Sequence, residues 1–300
     1  MFTNARAKKF FSYYKPYKRL LLADLACALV VAAITLVLPL CARYITKNIL
    51  ESHAPNALAQ IYTVGALMVV LVIIYSLCSS FVDYQGHMMG TLMERDMRAE
   101  LFEHYQKLSF GFYDEQKTGQ LMSRITNDTY NLGELYHHAP EDIVLTIIKF
   151  FGVFFILLSI NVQLTLILFL FLPVIALYAF YFSGRMNRAF RAERDSIGNI
   201  NAQVEDTLAG IRVVKSFTNE ETEREKFAAQ NNHFVMTKRN AYKNEAYFYN
   251  GMVGFTQLFT VAVVVFGGAS IVRGSLDLAD LVTYLLYAAI ILEPRACYAL

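Results

Sequence analysis

Tryptophan is absent from this sequence, and cysteine and charge are scarce. Only 17% of the 300 residues are charged, whereas a soluble domain usually carries about 25%. The four cysteines lie in or beside apolar stretches and have neither the spacing of metal ligands nor that of a disulfide framework. A net charge of +2 gives no indication of a nucleic-acid partner. These shortages argue against a soluble domain and against a cysteine-based metal site.

Long apolar stretches are what the sequence has instead. Hydrophobic residues make up 56% of the chain, and its mean hydropathy is +0.36. A helix needs about 20 apolar residues to cross a bilayer. Six windows read as spans, at residues 20–42, 61–82, 143–160, 164–183, 251–272 and 278–300. The sequence therefore predicts an all-α membrane protein with six transmembrane helices, in which 19 Tyr and 23 Phe supply the aromatic residues of the membrane surface.

The first window also has to be weighed as a signal peptide, because Lys8, Lys9, Lys15, Lys18 and Arg19 precede it. Its apolar run is longer than the usual core of a signal peptide, and no small-x-small cleavage site follows it. We therefore interpret 20–42 as a retained span, with a cleaved signal peptide as the alternative.

The positions of Lys and Arg predict the orientation of the spans, because these cations are retained on the cytoplasmic side. Most of the 27 Lys and Arg residues lie before the first span or in the segments 84–140 and 184–247. Arg43, Lys47 and Arg273 fall on the opposite side. We expect a multi-pass protein of the plasma membrane whose termini and two long segments are cytoplasmic.

Residues 1–19 mix aromatic and cationic side chains, as helices at membrane surfaces do. We predict that they form a cytoplasmic elbow helix on the inner leaflet. Residues 20–300 then form one transmembrane domain.

The two cytoplasmic segments are too long to be simple turns. Between Met93 and Phe112, apolar residues recur every three or four positions with charged residues between them, as on one face of an α-helix. No proline interrupts this region. We predict that transmembrane helices continue into the cytoplasm as two long arms, the first running from Tyr84 to Lys117 over about 50 Å. Two separately folded helical hairpins are the alternative.

The turning points of the arms carry the most distinctive local sequences. Residues 112–128 read FYDEQKTGQLMSRITND, in which Gly119 can interrupt the descending helix and Thr118 can cap the next one. Residues 205–217 read EDTLAGIRVVKSF, with a bend expected at Gly210. A short helix held at the tip of an arm is suited to docking in a groove.

Both tips resemble the intracellular loops of ATP-binding cassette (ABC) exporters of the six-helix type, which include bacterial lipid flippases and multidrug exporters. The first is similar to the family segment F-[FY]-D-x-x-x-x-G-x-[LI]-x-S-R-[LI]-x-N-D, and the second to G-I-x-V-V-K-S-F. Residues 292–295 resemble the proline segment of the sixth helix. The resemblance covers essentially the whole chain. It implies an ABC exporter transmembrane domain of type 1, with six transmembrane helices and two long cytoplasmic helical extensions.

In that family the tips are coupling helices that contact nucleotide-binding domains, and the second arm reaches the domain of the opposite subunit. The resemblance places them here at about 118–126 and 208–213. Its implied residues in coupling helix one are Thr118, Gly119, Leu121, Met122, Arg124, Ile125 and Asp128. In coupling helix two they are Leu208, Gly210, Ile211, Arg212 and Val213. A local ion pair between Arg124 and Asp128 is the alternative role for those two.

The motifs of an ATPase are missing. A phosphate-binding loop has the form G-x-x-x-x-G-K-[ST], and this sequence contains no Gly-Lys pair and no LSGGQ-like signature. We expect no catalytic, cofactor-binding or metal-binding residues here. ATP and Mg would be bound by nucleotide-binding domains, fused or separate, of a complete ATP-hydrolysing transporter. Because the last span stops at Leu300, we interpret the chain as a truncated product of a longer gene, with a separate ATPase subunit as the alternative.

Charged and aromatic residues within the spans are candidates for the substrate pathway. Charge is costly against lipid, which favours Lys149, Glu293 and Arg295, although Lys149 could equally snorkel to the inner interface and Glu293 could pair with Arg295. Aromatic rings could stack on an amphipathic or hydrophobic substrate, with packing as the alternative. The aromatic candidates are Phe255, Phe259, Tyr284 and Tyr287.

The resemblance also implies a second transmembrane unit, in a homodimer or a heterodimer, and a cavity that opens alternately inward and outward. Two other classes of protein remain as alternatives. One is a membrane receptor or scaffold that docks a cytosolic partner. The other is a secondary transporter, which would show inverted repeats or helices broken at the midplane. Only Pro39 and Pro173 interrupt spans deeply, and they form no matching pair.

Overall fold

The computed structural model describes residues 4–52, 55–116 and 118–292. All regular structure in these ranges is helical. The α-helices are α1 (Asn4–Ser12), α2 (Lys18–Tyr44), α3 (Ala57–Gln106), α4 (Phe110–Glu115), α5 (Thr118–Ser123), α6 (Thr129–Ile160), α7 (Val162–Phe169), α8 (Phe171–Ala209), α9 (Ile211–Ser216), α10 (Glu220–Val272) and α11 (Leu278–Ile291). Two π-helical segments, Ile45–Glu51 and Arg124–Asp128, continue α2 and precede α6.

Within the described ranges, five helical stretches are long and apolar enough to cross a membrane. They are Lys18–Glu51, Ala57–Gln106, Thr118–Ile160, Val162–Ala209 and Glu220–Val272. The shorter helix α11 is also apolar and ends just before residues 293–300, which lie outside the described ranges. The described helices therefore agree with the predicted all-α membrane fold, and the sixth predicted span is described only in part.

The chain divides into two compact units, one containing α1 to α6 with α11 and the other α7 to α10. In the first unit, α2, α3, α6 and α11 pack together. The backbones of helices α3 and α6 come into contact at Gly90 and Gly133, where a Cβ on Gly90 would lie 2.8 Å from the Gly133 carbonyl oxygen. Absence of side chains at this crossing lets the two backbones touch.

Helix α3 confirms that a long arm continues directly from an apolar span. It runs unbroken for 50 residues, or about 75 Å at the usual helical rise. The predicted end at Lys117 is wrong, however, because α3 stops at Gln106 and a separate short helix begins at Phe110. Ser109 between them has an extended backbone with φ −74° and ψ 157°, and serine favours such positions at helix starts over helix interiors.

Helix α1 packs on the arm formed by the C-terminal half of α3. Phe10 of α1 and aromatic residues that follow this helix pack on a buried cluster formed by Met89, Met93, Met97 and Tyr136. The ring of Phe10 stacks on that of Tyr136 with 4.3 Å between centroids, and Lys9 forms an ion pair with Glu100 at 2.5 Å. Its position on the inner leaflet remains a prediction.

The second unit is a long antiparallel pair of helices, α8 and α10. The hydroxyl of Tyr178 donates to the Tyr247 carbonyl at 2.6 Å, and further along Lys238 forms an ion pair with Glu193. Gly251 allows the close approach, because a Cβ there would lie 1.8 Å from the Tyr178 hydroxyl oxygen. The two helices thus carry the connecting residues 210–219 to the far end of a second arm.

Candidate functional site

The first tip, defined here as residues 118–128, is fastened to its own arm. Leu121 is buried, and its carbonyl accepts a hydrogen bond from the Tyr105 hydroxyl at 3.4 Å. The Tyr113 hydroxyl in turn donates to the Tyr105 carbonyl. Next to Leu121, the Met122 side chain is 62% exposed. The tip is therefore held by one apolar residue and presents the next one outward.

The polar residues predicted for the first tip lie on its exposed side. Arg124 and Asp128 are both exposed, and no ion pair joins these two described residues, so the alternative of a local i,i+4 pair is not realised. The half-buried Ile125 has its carbonyl bonded to the Arg98 guanidinium at 3.3 Å. Thr118 and Gly119 are exposed as well. The segment after Ser123 is π-helical, whereas a helix to Thr126 was predicted.

The second tip, residues 208–217, turns at Gly210 as predicted. The Gly210 amide donates to the Asp206 carbonyl at 3.0 Å, which ends α8, and the Gly210 carbonyl accepts from the Val213 amide at 2.9 Å, which starts α9. Helix α9 covers Ile211–Ser216. The predicted helix 208–213 straddles this bend, so its first residues belong to α8 and its last residues to α9. Glycine favours such a break between helices.

The second tip presents an exposed apolar surface with a cation in it. Leu208, Val213 and Phe217 are 63%, 61% and 79% exposed. Arg212 is exposed too and forms no ion pair with another described residue. Ile211 is half-buried. Apolar side chains grouped in this way mark contact surfaces more often than free surface.

A groove of about 400 Å³ opens beside this tip between the two helices of the second arm. Its apolar wall consists of Val204, Leu208, Ile211, Val214 and Phe227. One side is braced by Glu223, which accepts hydrogen bonds from the Lys226 ammonium and the Thr207 hydroxyl, both at 2.7 Å. These bonds hold the pKa of Glu223 below its ordinary value. The bracing fixes the ends of α8 and α10 around the tip.

The candidate pathway residues have different surroundings. Tyr284 and Tyr287 are almost fully buried, and their hydroxyls donate to backbone carbonyls of Leu157 at 3.0 Å and Leu36 at 2.5 Å. Both side chains are thus engaged in packing α11 on α6 and α2, which favours the packing alternative for them. Phe259 is also buried.

The remaining pathway candidates keep more of their surface. Phe255 is half-buried against the Tyr178 ring, with 4.9 Å between centroids. Lys149 is half-buried. Glu293 and Arg295 lie outside the described residues. Among the described candidates, Phe255 therefore keeps part of its ring surface exposed.

Sequence patterns missed an ion-pair cluster at the opposite end of the first unit. Asp280 of α11 is buried and pairs with Arg43 at 2.6 Å and with Lys47 at 2.8 Å. Lys47 also reaches Asp277 at 2.7 Å. Cations directly after the first span and acids at the start of the last were the available signal. The sequence also did not indicate that His87, His137 and His138 would lie together.

Comparison with known proteins supports the architecture. Residues 21–295 match the family model described as the ABC transporter transmembrane region. An uncharacterized ABC transporter ATP-binding protein of Bacillus subtilis is 38% identical over 96% of this chain and 49% of its own length. A second Bacillus subtilis protein, named as a proposed multidrug export ATP-binding/permease protein, is 26% identical over 93% of the chain and 49% of its own length.

A Staphylococcus aureus protein with the same kind of name is 23% identical over 96% of the chain and 50% of its own length. The chain thus spans about half the length of each of these relatives. The family match covers nearly the whole chain, and the helices supply the apolar spans it requires. This is a multi-pass membrane protein, and it belongs to the family of ABC transporter transmembrane regions.

Proposed function

We propose that this chain forms the substrate pathway of an ATP-driven exporter and receives the movement of ATPase domains through its two tips. The relatives are named as ATP-binding or ATP-binding/permease proteins, and the chain matches about half of each. The other half of such a protein is the natural place for ATP and Mg. Movement of the ATPase half must then pass to this chain, so this chain needs a surface that contacts that half.

The observation that carries the proposal is the exposed chemistry of the two tips. The first tip presents Met122 with Arg124 and Asp128, and the second presents Val213 with Arg212. At each tip an uncovered apolar side chain stands beside a charge that has no ion-pair partner among the described residues. Interfaces combine an apolar centre with charged groups at the rim in this way. Hydrogen bonds also fasten each tip to its own arm, so movement of a tip would be transmitted along that arm.

The orientation and assembly are parts of the same proposal. Lys and Arg are concentrated in both arms and before α2, which supports the proposal that the arms and the termini are cytoplasmic parts of a plasma-membrane protein. A second transmembrane unit, identical or different, would complete the pathway. Alternating access then follows if ATP binding favours one of two arrangements of the units.

The transported molecule is proposed to be amphipathic or hydrophobic. Phe255 retains part of its ring surface, so an aromatic group that could contact such a molecule lies within a span. Tyr284 and Tyr287 instead connect neighbouring helices, because their hydroxyls donate hydrogen bonds to backbone carbonyls.

Charge reversal at the second tip tests the proposal. Arg212→Glu in the complete transporter, reconstituted in nanodiscs, should leave basal ATPase activity intact and abolish its stimulation by the hydrophobic dye rhodamine 6G. Arg239→Glu is the matched control, because Arg239 is also exposed but lies on α10 away from the tip. Stimulation that survives Arg212→Glu unchanged would remove the coupling role from this tip.

The same preparation separates the exporter from a receptor or scaffold. Inside-out vesicles containing the wild-type transporter should accumulate the dye when ATP is added. A receptor that docks a partner without transport would leave the dye distribution unchanged. That result would contradict the proposed function for this substrate class.

A further inference from the structure

Three histidines converge where α3 and α6 cross. His87 comes from α3, and His137 and His138 come from α6. One ring nitrogen of each lies within 4.8 Å of one ring nitrogen of each of the others. The ring centroid of His137 lies 4.6 Å from that of His87 and 4.6 Å from that of His138. Of the six histidines in the chain, three therefore share one small volume.

Glycines in both helices produce this convergence. A Cβ on Gly86 would lie 1.9 Å from Cε1 and 2.3 Å from Nδ1 of His137, so the imidazole ring occupies the space that a side chain at position 86 would need. One turn away, Gly90 and Gly133 bring the two backbones into contact. The approach is thus built into the sequence at three positions.

The central histidine has an unsatisfied nitrogen. His137 is 2% exposed, and its buried Nδ1 has no hydrogen-bond partner among the described residues. Buried polar atoms nearly always have a hydrogen-bond partner, and an exception needs a specific explanation, of which a bound ion is one. A ligand that binds imidazole nitrogen would satisfy this atom.

Carboxylates surround the histidines on two sides. The Glu134 carboxylate lies 3.5 Å from Nε2 of His138 and 4.0 Å from Nδ1 of His87. Behind His137, the Glu141 carboxylate lies 3.7 Å from Nε2. Asp24 of α2 is also buried near His137, and its Oδ1 has no partner among the described residues. The negative charge of these groups would compensate a bound cation.

We propose that His87, His137 and His138 bind a zinc ion, with Glu134 as the fourth ligand. Neutral imidazole and carboxylate are both used as ligands in tetrahedral zinc sites. Glu141 acts through His137, because a metal-bound histidine commonly gives its other ring N–H to a carboxylate that fixes its orientation. The ion would join α3 to α6 at the base of the first arm.

The geometry requires only side-chain movement. Nitrogen ligands lie about 2.0–2.1 Å from a zinc ion. They are then closer to one another than the 4.8 Å within which the three histidine nitrogens now lie. The side chains of His87 and His138 are 52% and 47% exposed, so both can rotate toward His137 without giving up buried packing. The ring of His137 is itself packed against Gly86.

Zinc titration of the complete transporter tests the site. The protein carries an affinity tag without histidine, is stripped with EDTA, and is titrated with Zn²⁺ against a chromophoric chelator. His87→Ala and His138→Ala should each weaken zinc binding by at least about tenfold, as loss of a ligand does at least as strongly as loss of a supporting group. Co²⁺ in place of Zn²⁺ should give the visible absorption of a tetrahedral site in the wild-type protein but in neither of these variants.

A control variant removes two exposed histidines outside the cluster, His104 and His233, and should bind zinc as the wild type does. Zinc should raise the melting temperature of the wild type and this control but not that of the His87→Ala/His138→Ala double variant. Because His137 is buried, the two exposed histidines carry the test, with gel filtration to verify folding. Zinc affinity and melting shift that are the same in the double variant and the control, or no saturable binding to the wild type, would overturn the proposal.

Discussion

Gly90 and Gly133 touch through their backbones, so a methyl group on Gly90 would overlap the carbonyl of Gly133. A Cβ on Gly90 would lie 2.8 Å from the Gly133 carbonyl oxygen, and a Cβ on Gly133 would lie 3.1 Å from that of Gly90. Both obstacles are backbone atoms, which cannot rotate away. This contact sets the distance between α3 and α6, and with it the positions of the first arm and of the histidine cluster.

Gly90→Ala is therefore expected to lower the free energy of unfolding by about 1–3 kcal/mol, the usual cost of overfilling a packed contact. Thermal unfolding of the detergent-purified protein measures the loss. Gly65→Ala is the matched control in the same helix, because nothing lies within 4 Å of a Cβ there; it should be neutral or slightly stabilising, since alanine favours helix over glycine. Equal melting temperatures for Gly90→Ala and Gly65→Ala would contradict the tight crossing.

Asp280→Asn should also destabilise the first unit. The Asp280 side chain is 6% exposed and receives both Arg43 and Lys47, so its neutralisation leaves the Arg43 cation without its buried partner. We expect a loss of about 1–3 kcal/mol. Asp277→Asn provides the comparison, because Asp277 contacts Lys47 with a side chain that is 55% exposed. If the two variants melt alike, the buried ion pair does not stabilise the fold.

Docking of α1 on the first arm should depend on pH through Glu100. Lys9 and Tyr13 each donate a hydrogen bond to this carboxylate at 2.5 Å, and these bonds hold the pKa of Glu100 below its ordinary value of 4.5. The docked state thus favours the ionised carboxylate. Its contribution is fully present above pH 4.5 and is lost as the pH falls through the lowered pKa.

Fluorescence of a Phe11→Trp variant measures this docking, because the 300-residue chain has no other tryptophan and Phe11 is 66% exposed. Glu100→Gln should weaken docking at neutral pH and remove the acid transition. Glu103→Gln should leave both unchanged, because Glu103 pairs with Lys107 on its own helix. An acid transition that persists in Glu100→Gln would assign it to another group.

Arg124→Ala at the first tip should separate stability from coupling. Arg124 is exposed and has no ion-pair partner among the described residues, so the melting temperature should not change. Dye-stimulated ATPase activity of the complete transporter should fall, because the tip loses a charge that faces its proposed partner. A lower melting temperature with normal stimulation would show that Arg124 serves the fold of this chain instead.

The long arms could be predicted because local signals agree over many residues: apolar positions recur at helical spacing from Met93 onward, and proline is absent. The end of α3 at Gln106 was missed because Phe112 continues the same spacing beyond the break. The backbone at Ser109 decided the boundary there. A periodic pattern alone does not show where one helix ends and the next begins on the same face.

Contacts between distant residues were out of reach of sequence patterns. The hydroxyl of Tyr287 bonds to the carbonyl of Leu36, and His87 meets His137 across the helix crossing. Such partners are set by how helices pack, and a single sequence contains no spacing that reports it. The tips were different, because each is a short contiguous segment whose sequence resembles that of a family.

Cysteine cross-linking tests the central claim most directly. The four native cysteines of this chain are replaced, and Val213→Cys is introduced at the second tip of the complete transporter, where the side chain is 61% exposed. A second cysteine is placed in turn at surface positions of the ATPase domain. The account predicts a disulfide between Val213→Cys and that domain whose yield changes when ATP and Mg are added. If no position in the ATPase domain cross-links to the tip, with or without ATP, this chain does not receive its movement there.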